Sequence, residues 1–229
     1  MTALSTPATV TIITPYRDAA RFVPCYAAML ERQSCVDWIC FLIDDRSSDD
    51  GPALVAELSS RLPRFQPLTL SGPKRISGPA EARNYGLEHV ETPFVAFCDI
   101  DDIWHPKKLE RQLAFQSALN LDLSVCGYGR FRDAESSGQI QWRCPPGRLT
   151  YAELLGGNPL PMLTILARTE LVRTGFPCCP HEDFALWLRL FRANPSLRYG
   201  CLREGLAFYR LHDSNLTSHR RYMLFWADA

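Results

Sequence analysis

The amino-acid sequence predicts an α/β protein: a mainly parallel sheet flanked by helices, continued by a less regular α+β half. Three observations carry that expectation. Short apolar runs at Val10–Thr14, Ile39–Ile43 and Phe94–Cys98 have the composition of strands buried on both faces. Stretches with apolar residues at helical spacing lie between them. Two of the runs lead straight into acidic clusters, Asp44 with Asp45, and Asp99 with Asp101 and Asp102. Carboxylates are thereby placed at the carboxyl ends of strands, where open α/β sheets bind ligands.

The first run, VTIIT, is rich in β-branched residues and closed by Pro15. From Ala19 to Gln33, the side chains of Phe22, Tyr26, Met29 and Leu30 fall on one helical face, with Pro24 tolerable only in the first turn. ICFLI is the second strand, followed by a helix over Pro52–Leu62. A third helix is expected over Pro79–Val90, then FVAFC as a strand, then a helix opened by Pro106 with Leu109 and Leu113 behind it. Beyond Leu121 the rhythm loosens into short strands at Ser124–Tyr128, Met162–Ala167, Arg198–Leu202 and Leu206–Arg210. Between these, Thr150–Glu153 spells a capping box, Gly175 stops a short helix, and His181–Ala193 has helical spacing through Phe184, Trp187, Leu188 and Phe191. No repeat or linker interrupts the chain, so one domain over residues 1–229 is expected. Its nucleotide-binding half covers about 8–120, a half completing the cleft covers about 121–217, and a tail covers 218–229.

Composition narrows the function classes. Twenty-five basic and 25 acidic residues among 229 give zero formal net charge, and no long basic run supplies a field for nucleic acid. A hydrophobic content of 46% builds a substantial core and excludes disorder. No apolar stretch approaches the roughly 18–20 residues that span a bilayer. The nine cysteines are odd in number, form no C-x-x-C pair and follow no signal-like opening, so a reducing cytosol is expected. Adjacent Cys178 and Cys179 lack a second pair at zinc spacing and are read as ordinary thiols.

The acidic clusters carry the chemistry. Three carboxylates in four residues repel, by roughly 4 kcal/mol for a pair about 4 Å apart at an effective dielectric near 20. Mg²⁺ or Mn²⁺ on oxygen ligands would relieve that, and a solvated turn capping the Pro106 helix is the alternative. Asp44 and Asp45 are placed to accept hydrogen bonds from a ribose or base, while Ser47, Ser48 and Asp49 suit a helix cap. Arg83 either reaches a phosphate or base, or pairs with Glu81. Glu182 and Asp183 either complement a helix N-terminus or, if that end faces the cleft, supply a general base.

Taken together, VTIITPYRDA, FLIDDRSSDDG, GPAEARNYGL, PFVAFCDIDDIWHPKKLERQL, PMLTILARTELVRTGF and HEDFALWLRL resemble the successive motifs of family 2 glycosyltransferases with the GT-A fold, in order from Val10 to about Thr217. The resemblance is to non-processive members of the bacterial surface-glycan type. It implies inverting transfer of one sugar from a nucleoside-diphosphate sugar, UDP before GDP or dTDP, to the hydroxyl of a glycan or lipid-linked acceptor, with a divalent cation. It further implies that Pro15, Tyr16, Asp44 and Asp45 contact the nucleoside and Arg83 the base or diphosphate. Asp99 falls in the D-x-D element, Asp101 and Asp102 lie nearest the metal, Asp183 is the catalytic base, and Trp187 packs beneath the acceptor site. His212, in a late segment YRLH, is implied to touch diphosphate or metal.

Two departures stand out. Arg46 occupies the place where the family most often has Gly, and the Q-x-x-R-W element of polymerising synthases is missing. Rival classes fit less of the chain. A phosphoacceptor receiver domain explains only the first half. A sugar-phosphate nucleotidyltransferase lacks its Gly-rich loop, since Pro15 to Ala20 contains no Gly. A catalytically silent nucleotide-sugar binder has no need of all the acids. The terminal Arg220, Arg221, Tyr222, Leu224, Phe225 and Trp226 suit either contact with the inner face of the cell membrane or a packed, protomer-facing helix in a homodimer.

Overall fold

A computed structural model describes residues 8–74, 78–132 and 140–212. The terminal basic-aromatic segment from Arg220 to Trp226, and Thr217, lie outside them. The described chain builds one nine-stranded sheet in the order β3-β2-β1-β4-β8-β6-β9-β5, with β7 paired to β6.

The parallel half comprises β1 (Val10–Tyr16), β2 (Trp38–Asp44), β3 (Phe65–Thr69) and β4 (Phe94–Phe97). All seven residues of β1 are buried, as a strand flanked by two others and covered on both faces requires. The strand runs through Pro15 instead of stopping there. β4 leaves the ladder at Phe97, opposite Ile13, so the proline lies beyond the last β4 pairing. Alternation along β1 divides the core. Val10, Ile12 and Tyr16 pack toward α1 (Val23–Glu31), α2 (Gly51–Arg61) and α4 (Lys108–Ala118), through Tyr26, Leu30, Val55, Leu58 and Leu109. Ile13, with Ile43 and Phe97, packs toward α3 (Ala80–Glu88) and α7 (Glu182–Ala193), through Leu87, Phe184 and Trp187.

The second half is mixed. It comprises β5 (Ile103–Trp104), β6 (Leu123–Phe131), β7 (Gln141–Arg143), β8 (Leu166–Arg168) and β9 (Tyr199–Arg210), with the short helices α5 (Tyr151–Leu154) and α6 (Thr169–Val172) between them. β8 runs antiparallel to both β4 and β6, joining the halves. Two expected strands, Arg198–Leu202 and Leu206–Arg210, are one strand of 12 residues, bent where its register on β6 shifts at Gly127. A Cβ on Gly127 would sit 2.8 Å from the Glu204 carbonyl oxygen, so glycine permits this bulge. Met162–Thr164, expected as strand, is a 3-10 turn preceding β8. The Ala19–Gln33 helix divides into a 3-10 turn at Ala20–Phe22 and α1, with Pro24 in its first turn as Pro chemistry requires. Thr150 and Glu153 form the expected capping box.

Candidate active site

Asp44 ends β2 and Asp45 follows it, and the turn separates their surroundings. Asp44 Oδ1 accepts the Ser47 amide at 2.9 Å and stays buried in the turn; its side chain is not among those lining the cleft. Asp45 does line it, with one oxygen 2.6 Å from Arg46 Nη1 and the other on the Lys74 ammonium. Arg46 has φ 63°, the left-handed conformation that explains why glycine suits this position. Here an arginine adopts it and is held by the Gly72 carbonyl at 2.6 Å from Nε and Glu81 Oε1 at 2.9 Å from Nη2. Pro15 and Tyr16 line the same end, and burial, with Asp44 and Asp49 nearby, raises the Tyr16 phenol above its ordinary range. Of the expected cap residues, Asp49 receives the Gly51 amide at 3.0 Å through Oδ1 and the Ala20 amide at 2.8 Å through Oδ2.

The second acidic turn follows β4. No aspartate of this turn caps α4, whose N-cap is Lys107 with no side-chain bond. Asp99, Asp101 and Asp102 all line the cleft. Asp101 Oδ2 lies 2.7 Å from His212 Nε2, and the His212 ring packs on Phe22 with centroids 5.6 Å apart. Asp102 is buried and accepts the Arg210 amide at 3.1 Å, so the end of β9 is tied to this turn. Burial, then the charge of Asp99, raises the Asp101 carboxyl above its ordinary range, against the His212 hydrogen bond. Burial, then Asp101 and Asp99, raises Asp102 further. Crowded carboxyls held toward their protonated forms fit a cation bound by one or two side chains and completed by a diphosphate. Among the described residues no three His, Cys, Asp or Glu side chains are grouped so as to hold a metal ion by themselves.

Arg83 occupies a place that its position in the sequence did not disclose. It is 3% exposed, and its terminal nitrogens reach Asp99 Oδ1 and Glu182 Oε1, each at 2.8 Å. It bridges the aspartate turn and the start of α7 and also lines the cleft, where a base or diphosphate contact is expected of it. The carboxylates on its terminal nitrogens are those of Asp99 and Glu182, while Glu81 accepts from Arg46.

Glu182 and Asp183 face different surroundings. Glu182 is buried, and desolvation raises its carboxyl despite Arg83. Asp183 lines the cleft; its Oδ1 accepts the Phe184 amide at 2.7 Å and its Oδ2 the Asn158 side-chain amide at 2.9 Å. Trp187, one turn along, is fully buried. Asp45, Asp99, Asp101, Asp102 and Asp183, with Pro15, Tyr16, Arg83 and His212, thus open on one cleft of about 1720 Å³. Sequence reasoning missed Lys74 and Asn158. Neither belongs to a motif with inherent chemistry, and only the fold brings them to Asp45 and Asp183.

Comparison with known proteins agrees with this construction. A model of the family described as Glycosyl transferase family 2 matches residues 11–179. UDP-Glc:alpha-D-GlcNAc-diphosphoundecaprenol beta-1,3-glucosyltransferase WfgD of Escherichia coli is 31% identical over 92% of this chain and 80% of its own length. The putative teichuronic acid biosynthesis glycosyltransferase TuaG of Bacillus subtilis is 29% identical over 92% of this chain and 82% of its own. Among solved structures, S. aureus TarS 1-349 in complex with UDP-GlcNAc superposes with TM-score 0.73 at 19% identity, over 92% of this chain and 60% of that one. The mannosyltransferase PcManGT of Pyrobaculum calidifontis, in complex with GDP-Man and Mn2+, gives 0.69 at 15% identity, over 96% and 61%. This chain spans about 60% of the length of both solved structures, and at those identities they establish the fold, the GT-A arrangement. With the family model covering most of the chain and a relative above 30% identity along nearly all of it, the protein belongs to glycosyltransferase family 2.

Proposed function

We propose that the chain transfers a single sugar, with inversion, from a nucleoside-diphosphate sugar to an acceptor hydroxyl in the synthesis of a surface or lipid-linked glycan. The observation that carries this reading is the convergence of Asp45, Asp101 and Asp183 on one cleft from three separate stretches of chain. The nucleoside end is formed by Pro15, Tyr16, Asp45 and Lys74 from the parallel half. The acceptor end draws on residues after 121, among them Asn158 and Asp183. UDP is the first expected nucleotide, since the E. coli relative is named for UDP-Glc and the S. aureus structure is a complex with UDP-GlcNAc. The acceptor of the E. coli protein, a lipid diphosphate, supports a peripheral position at a membrane; no helix among the described residues is long and apolar enough to cross one.

Asp183 is the base. Two donated hydrogen bonds fix the orientation of its carboxylate in the cleft. It removes the proton from the acceptor hydroxyl as that oxygen attacks the anomeric carbon on the face opposite the diphosphate. The new C–O bond forms while the bond to the phosphate oxygen breaks, and the electron pair leaves with the nucleoside diphosphate. Inversion follows from this single displacement, and no sugar–enzyme bond is needed. Asp101 and His212 are the side chains placed to hold Mn²⁺ or Mg²⁺, which when bound neutralises charge on the departing diphosphate. Arg83 holds Asp99 and Glu182 in fixed relation, keeping the donor turn and the helix that carries the base in register.

A panel of UDP, GDP and dTDP sugars, assayed for donor hydrolysis with and without Mn²⁺, tests this reading. Release of a nucleoside diphosphate from one donor class, dependent on the cation, is expected. Absence of release and of nucleotide binding across the panel would overturn it.

A further inference from the structure

The acceptor end of the cleft carries charge of the opposite sign from the acidic donor turn. β6 and β7 pair with Tyr128 opposite Arg143 and Arg130 opposite Gln141. Residues two apart on a strand share a face, as do directly opposed residues, so Tyr128, Arg130 and Arg143 point the same way. On the other side of β6, Tyr209 of β9 is opposite Arg130 and belongs to that face. All four line the cleft. The two arginines are diagonal neighbours, which sets their backbones roughly 7–8 Å apart, a separation two long side chains close easily. The neutral phenol of Tyr128 lies within their field: burial raises it, and Arg143 and Arg130 oppose that rise.

Neither guanidinium has a carboxylate partner among the described residues. Several arginines elsewhere are matched: Arg83 with Asp99 and Glu182, Arg46 with Asp45 and Glu81, Arg111 with Glu204, Arg198 with Asp122. Two guanidinium groups without a carboxylate partner among the described residues, on one wall of a cleft, suit a ligand that brings its own negative charge, and their forked donors match phosphate oxygens. The donor's diphosphate has its own place at the aspartate turn.

We infer that Arg130 and Arg143, with Tyr128 beside them, form an anion subsite for an acceptor bearing a phosphate or diphosphate, which selects such acceptors over neutral glycans. The inference rests on the proposed transferase reading and deepens it by naming the acceptor's chemical class.

The test uses the full chain with the donor site filled by UDP and Mn²⁺. Two probes are titrated calorimetrically: an N-acetylglucosaminyl diphosphate carrying a short alkyl chain, and the same alkyl glycoside without phosphate. Wild type should bind the diphosphate probe at least tenfold more tightly. Arg130→Gln and Arg143→Gln should each weaken that probe about tenfold, as loss of one charge-assisted hydrogen bond implies, with Arg143→Lys recovering part. Affinity for UDP and for the neutral glycoside should stay unchanged, which also shows that the variants are folded. Equal binding of the two probes, failure of both to bind, or variants that weaken UDP instead, would overturn the subsite. Absence of UDP binding in wild type would instead count against the transferase reading itself.

Discussion

Arg83 Nη1 lies 2.8 Å from Glu182 Oε1, a pair separated by 99 positions in the chain and nearly excluded from water. The same guanidinium holds Asp99, so one buried cation fastens the aspartate turn after β4 to the first turn of α7, whose next residue is Asp183. The bond that stabilises the fold here also fixes the distance between Asp99 and the helix start that carries Asp183.

Removing the cation should therefore be severe. Arg83→Met removes the cation from the buried Glu182 carboxylate and should destabilise the protein by about 3–5 kcal/mol, measured by urea denaturation. The double variant Arg83→Met/Glu182→Gln should recover most of that loss. If the single and double variants were equally unstable, shape and not charge would be the dominant factor.

Glu182 gives a pH signature. Burial raises its carboxyl above the ordinary value of 4.5. A carboxyl with a raised folded pKa binds its proton more tightly when folded, so its contribution to stability is fully present below 4.5 and is lost as pH rises through the folded value. The stability of wild type relative to Glu182→Gln should decline from pH 4.5 upward, followed by denaturation at a series of pH values. A difference that stays flat across that range would remove the desolvation argument.

The left-handed turn at Arg46 separates backbone from side-chain effects. Arg46→Ala and Arg46→Gly both lose the links to Asp45, Glu81 and Gly72, but only alanine retains the penalty for φ 63°. Thermal melting should find the glycine variant more stable than the alanine variant by about 1 kcal/mol. Equal melting would mean that the turn relaxes in one of them.

Asp101 and His212 should control the cation. Asp101→Asn is expected to abolish Mn²⁺-dependent enhancement of UDP binding, and His212→Ala to weaken it, while metal-free UDP binding through Asp45 persists. Chelation of the wild type should reproduce the Asp101→Asn behaviour. Calorimetry with and without Mn²⁺ distinguishes these outcomes, and enhancement preserved in Asp101→Asn would assign the cation elsewhere.

The parallel half was legible because burial on both faces leaves unbroken apolar runs such as ICFLI, and the acids at their ends needed no further information. β3 was not, since FQPLT is an edge strand with one buried residue and a proline, a pattern without alternation or an apolar run. β7 is exposed along its length and owes its existence to pairing with β6. Asp44 and Asp45 are chemically identical in sequence, and only the turn bonding of Asp44 to Ser47 gives them different tasks. Glu182 and Asp183 likewise could not be distinguished by periodicity, because which one turns inward depends on Arg83 arriving from α3.

The central claim is that Asp183 takes the acceptor proton in the cleft where the donor is bound. The most direct measurement is the sugar-transfer rate of Asp183→Asn at saturating donor, with UDP affinity determined on the same preparation. A fall in kcat of roughly 10²–10⁴ with unchanged UDP affinity is predicted. Transfer at near wild-type rate by a variant that binds UDP normally would contradict the assignment.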